Sequence, residues 1–261
     1  MVFYQTYPSI ETAKGTVVLS SGLGGSHLYW QPQVASLQKN FNVVVYDHLG
    51  TGRSKASLPD DYHIKDMAKD VLELIDDVNQ GPVHFIGHAI GGLIGLEAAA
   101  MAPEKLASLV LVNAWDKTDA HTKRCFEIRK SILVNTGLEM YLKAQPLFLY
   151  PAQWMKEHRA ELDQELAHLL KADIDTDNLK KRIKAAEQYD GRDKLSAIKT
   201  PTAVIVSLDD LLVPFSCSAQ LFEQLDNAQL FEMNHGGHAC NLTRAKQFNA
   251  LLDDFYQQQI H

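Results

Sequence analysis

Cysteine is scarce in this chain. Three thiols, Cys125, Cys217 and Cys240, stand far apart among 261 residues. They form no CxxC pair, and an odd, scattered set builds no disulfide framework, so reduced thiols are expected. Long apolar runs are also missing. No stretch approaches the roughly 18 residues of a membrane span, so no membrane partner is expected. Met1-Val2-Phe3-Tyr4-Gln5-Thr6 lacks the basic start and apolar stretch of a signal peptide, which leads to an expected cytoplasmic location. Excess positive charge is absent as well. Lys and Arg number 25 against 32 Asp and Glu, and the net charge of −7 disfavours a nucleic-acid partner. Metal and nucleotide motifs are wanting. There is no P-loop and no HExxH, and Gly22-x-Gly24-Gly25 lacks the third glycine of a dinucleotide loop, because His27 stands there. His84 and His88, four apart, fall on a strand and the turn after it, and His235 and His238 are separated by glycines. No metal and no cofactor are therefore expected.

What is present is an ordinary globular composition. The 46% hydrophobic content excludes wholesale disorder. Short β-branched runs recur at Thr16–Ser20, Phe41–Tyr46, Val83–Ile86 and Leu109–Val112. Near-continuous apolar runs of this length suit strands covered on both faces. Between them Met67, Val71, Leu74, Ile75 and Val78 repeat at helical spacing, and the Ala-rich segment from Ala89 to Ala102 ends before Pro103. Such alternation predicts a mostly parallel sheet with helical crossovers. From about Trp115 to Lys199 strand runs vanish and charged helix formers dominate, as in an inserted helical cap. Strand patterns return at Thr202–Ser207 and Ala228–Met233. Phe248, Leu251, Leu252 and Phe255 then mark a final helix at i, i+3, i+4, i+7. The expected organisation is one core, 1–114 and 200–261, interrupted by a cap, 115–199.

The most informative stretch is Gly87-His88-Ala89-Ile90-Gly91-Gly92, which follows a buried strand and opens a helix. That is the setting of the G-x-S-x-G nucleophile elbow, where flanking glycines permit a tight strand-to-helix turn. Here the central residue is Ala89. Four further stretches occur in matching order. Ser21-Gly22-Leu23-Gly24-Gly25-Ser26 follows one strand, and Asp47-His48-Leu49-Gly50-Thr51-Gly52-Arg53-Ser54 follows the next. Asp209-Asp210-Leu211-Leu212-Val213-Pro214 and then Gly236-Gly237-His238 follow the last two.

On these motifs the sequence resembles the α/β-hydrolase superfamily over nearly its whole length. It is more closely similar to the hydrolase family of the Rut pathway of bacterial pyrimidine degradation. The closer likeness is carried by the elbow, by Ala120-His121-Thr122-Lys123-Arg124-Cys125-Phe126, by Gln145-Pro146-Leu147-Phe148-Leu149-Tyr150-Pro151, and by the aspartate and histidine turns. The resemblance implies an α/β-hydrolase fold with a helical cap. It also implies C–N bond hydrolysis of a small product of uracil ring opening, carbamate or 3-aminoacrylate, both of which also decompose without an enzyme. The family pattern further implies an oxyanion hole from the backbone N–H of Leu23 and Ile90.

Ala89 has no nucleophile, so the two-step covalent route of serine hydrolases is closed at this position. His238 is expected to act as general base toward a water, oriented by Asp210. Hydrolases commonly place the acid four residues before a proline, and Asp210 with Pro214 meets that spacing; Asp209 competes for the role or caps the turn. A small anionic substrate needs a cation. Among Lys123, Arg124 and Arg129, Arg124 is the expected anchor, against the plainer reading of a solvated helix face. Gln145, Phe148, Tyr150, Trp115 and Trp154 are candidates for pocket wall or cap core. Cys240, two residues after His238, is either a nucleophile or a packed thiol, the second reading being the simpler. Three readings of Ala89 stay open: native with water as nucleophile, an engineered replacement of serine, or a ligand-binding protein on a retired hydrolase fold. The expected partner is a small-molecule substrate, with monomer or homodimer left open.

Overall fold

The computed structural model describes residues 1–78 and 81–259. Among them seven strands form one sheet: β1 (Tyr4–Tyr7), β2 (Thr16–Ser20), β3 (Asn42–Tyr46), β4 (Val83–His88), β5 (Leu106–Val112), β6 (Thr202–Ser207) and β7 (Ala228–Met233), in the order β1-β3-β2-β4-β5-β6-β7. Only β1 runs antiparallel to its neighbour, β3; all other pairings are parallel. Every residue of β2, β4 and β6 is buried, which is why these strands read as unbroken apolar runs. β1 is half-exposed, short and polar at its centre, and carries no such signal.

The helices are α1 (Gln31–Leu37), α2 (Ile64–Val78), α3 (Ile90–Met101), α4 (Ala120–Thr136), α5 (Leu138–Leu149), α6 (Ala152–Glu157), α7 (Arg159–Leu169), α8 (Thr176–Glu187), α9 (Phe215–Glu223), α10 (Cys240–Thr243) and α11 (Ala245–Gln259). Successive strand residues point to opposite faces. Val18 and Phe85 therefore join a core with Met67 and Val71 of α2 and Leu93 of α3, whereas Val17, Leu19 and Ile86 pack with Val34 of α1 and Phe248 and Leu252 of α11. Each such buried side chain contributes about 1.5–3 kcal/mol over leaving it in water. α3 is buried almost all round, since it lies between the sheet and α2, so its sequence shows little amphipathic alternation.

Helices α4 to α8 stand between β5 and β6. Asp119 caps α4 by accepting the Thr122 N–H at 2.7 Å, and Asp175 caps α8 through the Asp177 and Asn178 N–H groups. Asn178 ties α8 to the core: its Oδ1 accepts the Leu58 N–H at 2.9 Å and its Nδ2 donates to the Ala56 carbonyl at 2.7 Å.

The sharp point of the chain is the junction of β4 and α3. Ala89 sits at φ 52°, ψ −115°, where a non-glycine residue is strained by about 1–3 kcal/mol. Its N–H donates to the Val112 carbonyl at 2.8 Å, which holds the turn to β5. The flanking glycines are steric requirements. A Cβ on Gly87 would lie 2.2 Å from the Gly91 carbonyl oxygen, and one on Gly91 would lie 2.3 Å from that of Ser20. Gly24, by contrast, is exposed, and a Cβ there meets nothing within 4 Å. Gly91→Ala is therefore expected to lower stability by about 3 kcal/mol or more, as overpacking against backbone does. Gly24→Ala should stay within about 0.5 kcal/mol of the wild type. Urea unfolding midpoints check both, and equal midpoints would refute the steric account.

Candidate active site

In open α/β sheets the loops at the carboxyl ends of the strands form the binding crevice. Here the segments after β2, β3, β4 and β7 supply Leu23, Asp47, Ala89 and His238, and that after β6 supplies Leu212. With α4, α5, α7 and α8 they enclose a cavity of about 650 Å³, within the usual range for ligand sites. Ala89, Ile90, Leu23 and His238 all border it.

The centre of the polar arrangement is a buried pair. His238 Nδ1 lies 2.7 Å from Asp210 Oδ2, with both side chains almost wholly removed from solvent. The other oxygen of Asp210 accepts the N–H groups of Leu212 and Val213 at 2.8 and 2.9 Å. A carboxylate only accepts, so Nδ1 carries the proton of the pair and Nε2 is the ring nitrogen that the aspartate does not engage. Of the two aspartates weighed from the sequence, Asp210 meets the imidazole. Asp209 serves the backbone instead: its Oδ1 takes the N–H of Gly236 and Gly237 at 2.9 and 2.8 Å and the Ser207 hydroxyl at 2.7 Å, which fastens the loop carrying His238.

The main-chain carbonyl of His238 is held as firmly. It accepts from Asn113 Nδ2 at 2.7 Å and from His88 Nε2 at 2.8 Å. Asn113, at φ 47°, also accepts the Ser207 N–H at 2.9 Å and so joins β5, β6 and the histidine loop. His88 stacks on Tyr29, with centroids 5.0 Å apart, and lies 4.7 Å from the His238 ring. Burial first, then the neighbouring His238, keeps its imidazole well below the ordinary value and so neutral. Since Nε2 donates, Nδ1 is a buried lone pair without a partner, in the cavity wall. His88 was considered from the sequence only as half of a metal pair with His84. Its place immediately before the elbow residue was the signal that marks it as part of the site.

Ile90 opens α3, so its N–H belongs to the helix-end donors that have no intrahelical carbonyl. Leu23 lies inside the turn closed by the Gly25 N–H on the Gly22 carbonyl at 3.0 Å. Cys240 is fully buried, and burial followed by Asp210 pushes its thiol up to about 12, so it is a packed thiol and not a thiolate. His48 is buried too, pushed down to about 3 by desolvation and then by Arg182. Of the aromatic and amide candidates, Trp115, Gln145 and Tyr150 border the cavity, while Phe148 and Trp154 do not.

The expected substrate anchor is corrected. Arg124 is exposed on α4 and does not border the cavity. At 100° per residue, Arg129 lies about 140° away around the helix. The buried stripe of α4 is Thr122, Cys125, Phe126, Arg129 and Leu133, so Arg129 faces inward and Arg124 outward. A second cavity arginine, Arg182 of α8, was missed because it sits in a run of lysines that reads as a solvated face.

The chain belongs to the α/β hydrolase family: the family described as alpha/beta hydrolase fold matches residues 15–149. Within it the likeness is to RutD proteins. The chain is 48% identical to "Putative carbamate hydrolase RutD" of Serratia proteamaculans (strain 568), over 91% of this chain and 89% of that protein. It is 46% identical to the protein of the same name in Pseudomonas syringae pv. syringae (strain B728a), over 99% of this chain and all of that one. Among solved structures it is similar to the enol-lactonase from Burkholderia xenovorans LB400, with TM-score 0.88 and 26% identity over 98% of this chain and 96% of that one. The protein is thus a hydrolase of this family whose elbow residue has no nucleophilic side chain. No described helix is long and apolar enough to cross a membrane.

Asp209 makes the histidine loop acid-sensitive. Burial raises its carboxyl, but the Gly237 N–H, the Ser207 hydroxyl, the Gly236 N–H and His235 outweigh that and leave it below the ordinary 3.8. A carboxyl lowered on folding stabilises above its unfolded value and loses that contribution as pH falls through the folded one. Asp209→Asn should melt below the wild type at about pH 7, and the gap should narrow below pH 3.8. A gap unchanged across that window in thermal melts would refute the assignment.

Proposed function

We propose that this protein hydrolyses the C–N bond of a small product of pyrimidine ring opening, carbamate or 3-aminoacrylate, with a water activated by His238. The observation that carries the reading is the pairing of His238 with Asp210 beside a cavity that also borders the methyl of Ala89. The names of the RutD relatives support the substrate class.

His238 Nε2 takes a proton from water, and Asp210 holds the ring in the tautomer that leaves this nitrogen free. The water oxygen then bonds to the substrate carbon. With carbamate, negative charge builds on oxygen, and the N–H groups of Leu23 and Ile90 are the donors offered to it. The imidazolium returns its proton to nitrogen, the C–N bond breaks, and ammonia leaves with bicarbonate, the hydrated form of carbon dioxide. With 3-aminoacrylate, water adds to the C=N bond of the imine tautomer. The electron pair moves to nitrogen, which takes the proton. Loss of ammonia from the carbinolamine leaves malonic semialdehyde.

General-base catalysis is worth about 10²–10⁴-fold, and an oxyanion donor roughly 10²–10³-fold. Gains of that size suit a substrate that already hydrolyses readily. His238→Ala is expected to remove about 10² or more of the ammonia release above the spontaneous rate, measured on freshly generated substrate. Ala89→Ser should lower the rate too, since its hydroxyl takes the space beside the imidazole. Retention of the full increment by His238→Ala would sink the general-base reading. Ligand binding without any increment in the wild type would make the chain a binding protein.

A further inference from the structure

Two buried guanidinium groups stand in the cavity wall without a counter-charge. Arg129 and Arg182 are each 3% exposed, and both border the cavity. Arg129 Nη2 donates to the Tyr141 hydroxyl at 3.1 Å and to Gln145 Oε1, and Arg182 Nη1 donates to the Leu49 carbonyl at 3.3 Å. None of these acceptors is a carboxylate. The Nε of each arginine is buried with no partner at all. Among the described residues no carboxylate pairs with either. The groups that face them argue the same way. Asp175 is committed to the cap of α8, and Glu165, which lines the cavity, is exposed and makes no ion pair with either arginine. Tyr141 brings the two cations into one neighbourhood, since it bonds Arg129 and acts electrostatically on Arg182. The rings of Phe126, Tyr141 and Phe148 each lie 5.7 Å from the Arg129 guanidinium, so it rests in largely apolar surroundings.

A buried charge normally has a partner, because desolvation of an unpaired ion is costly. Two unpaired cations beside one cavity are instead suited to an anion that arrives with the ligand. A planar guanidinium matches a carboxylate bidentately, and Nε is one tooth of that fork. We propose that Arg129 and Arg182 form a carboxylate-binding subsite in the cap wall, so that the substrate carries a carboxylate separate from the carbon that is hydrolysed. The second clause rests on the hydrolytic reading; the first does not. 3-Aminoacrylate has such a group. In carbamate the carboxylate carbon is itself the reacting atom.

The test uses the full chain and a charged and neutral pair of probes of like shape, propionate and propionamide, in calorimetric titrations. Propionate is expected to bind about tenfold or more tightly than propionamide, the span of a hydrogen bond to a charged group. Arg129→Met and Arg182→Met should each erode that preference, while Arg124→Met, on the exposed face of α4 outside the cavity, should keep it. Equal affinity for the two probes in the wild type would overturn the subsite without any variant having to fold. An unchanged preference in both methionine variants would overturn it too. Because these readouts are binding constants, loss of the general-base reading in turnover assays leaves this comparison decisive by itself.

Discussion

A buried carboxylate must have its lone pairs satisfied or it destabilises everything around it. Asp210 meets that demand with two backbone N–H groups of its own turn and one imidazole from a loop 28 residues further along the chain. The first two bonds fix the carboxylate within its own turn. The third then sets the tautomer and the plane of His238. Around that pair every support is fastened to a strand end. Asn113 extends β5 and His88 ends β4, and the two donate to one carbonyl of the histidine loop, while Asp209 after β6 grips the preceding glycines. Loss of a single bond in such a buried network leaves a polar group stranded, so the geometry is held by cooperation and not by any one contact.

The structure carries three local costs in one place: a strained Ala89, an unpartnered His88 Nδ1 and two arginines without counter-ions. Each runs against what a chain selected only for stability would keep. Their convergence on one cavity is a physical argument that the region is built for a ligand, independent of any relative's name. His84 bonds Ser108 at 2.8 Å and packs against Phe41 and Tyr256, which accounts for it without function.

The sheet was legible because its central strands are buried on both faces and so appear as continuous apolar runs; β1, at an antiparallel edge and half-exposed, has no such signature. The elbow and the aspartate and histidine turns were legible because tight backbone packing allows few residues there, as the contact of Gly91 with Ser20 makes plain. The cap was harder. A helix advertises its charged residues alike whether they face water or a cavity, and only the phase of the buried stripe separates Arg129 from Arg124. α4 has so mixed a buried face, with threonine, cysteine and arginine among the apolar residues, that the phase was obscured. Arg182 was hidden further, because a cation facing a cavity in a lysine-rich helix is indistinguishable from its neighbours until the fold is known.

Absence of a nucleophile changes what the remaining parts must do. In a serine enzyme the histidine acts on a hydroxyl held in place by a covalent bond to the chain. On the proposed reading the proton donor is a water that nothing tethers, so orientation falls to the imidazole and to whatever fixes the substrate opposite it. Positioning is then the larger share of the problem, since a misplacement of about 1 Å can cost on the order of 10²-fold. A cation pair set in the cap, at a distance along the chain from the strand ends that carry His238 and Asp210, is the kind of second anchor that a one-step hydrolysis requires. On the proposed reading the cap is therefore part of the chemistry: it replaces, by orientation, some of what the missing hydroxyl would have supplied by covalent capture.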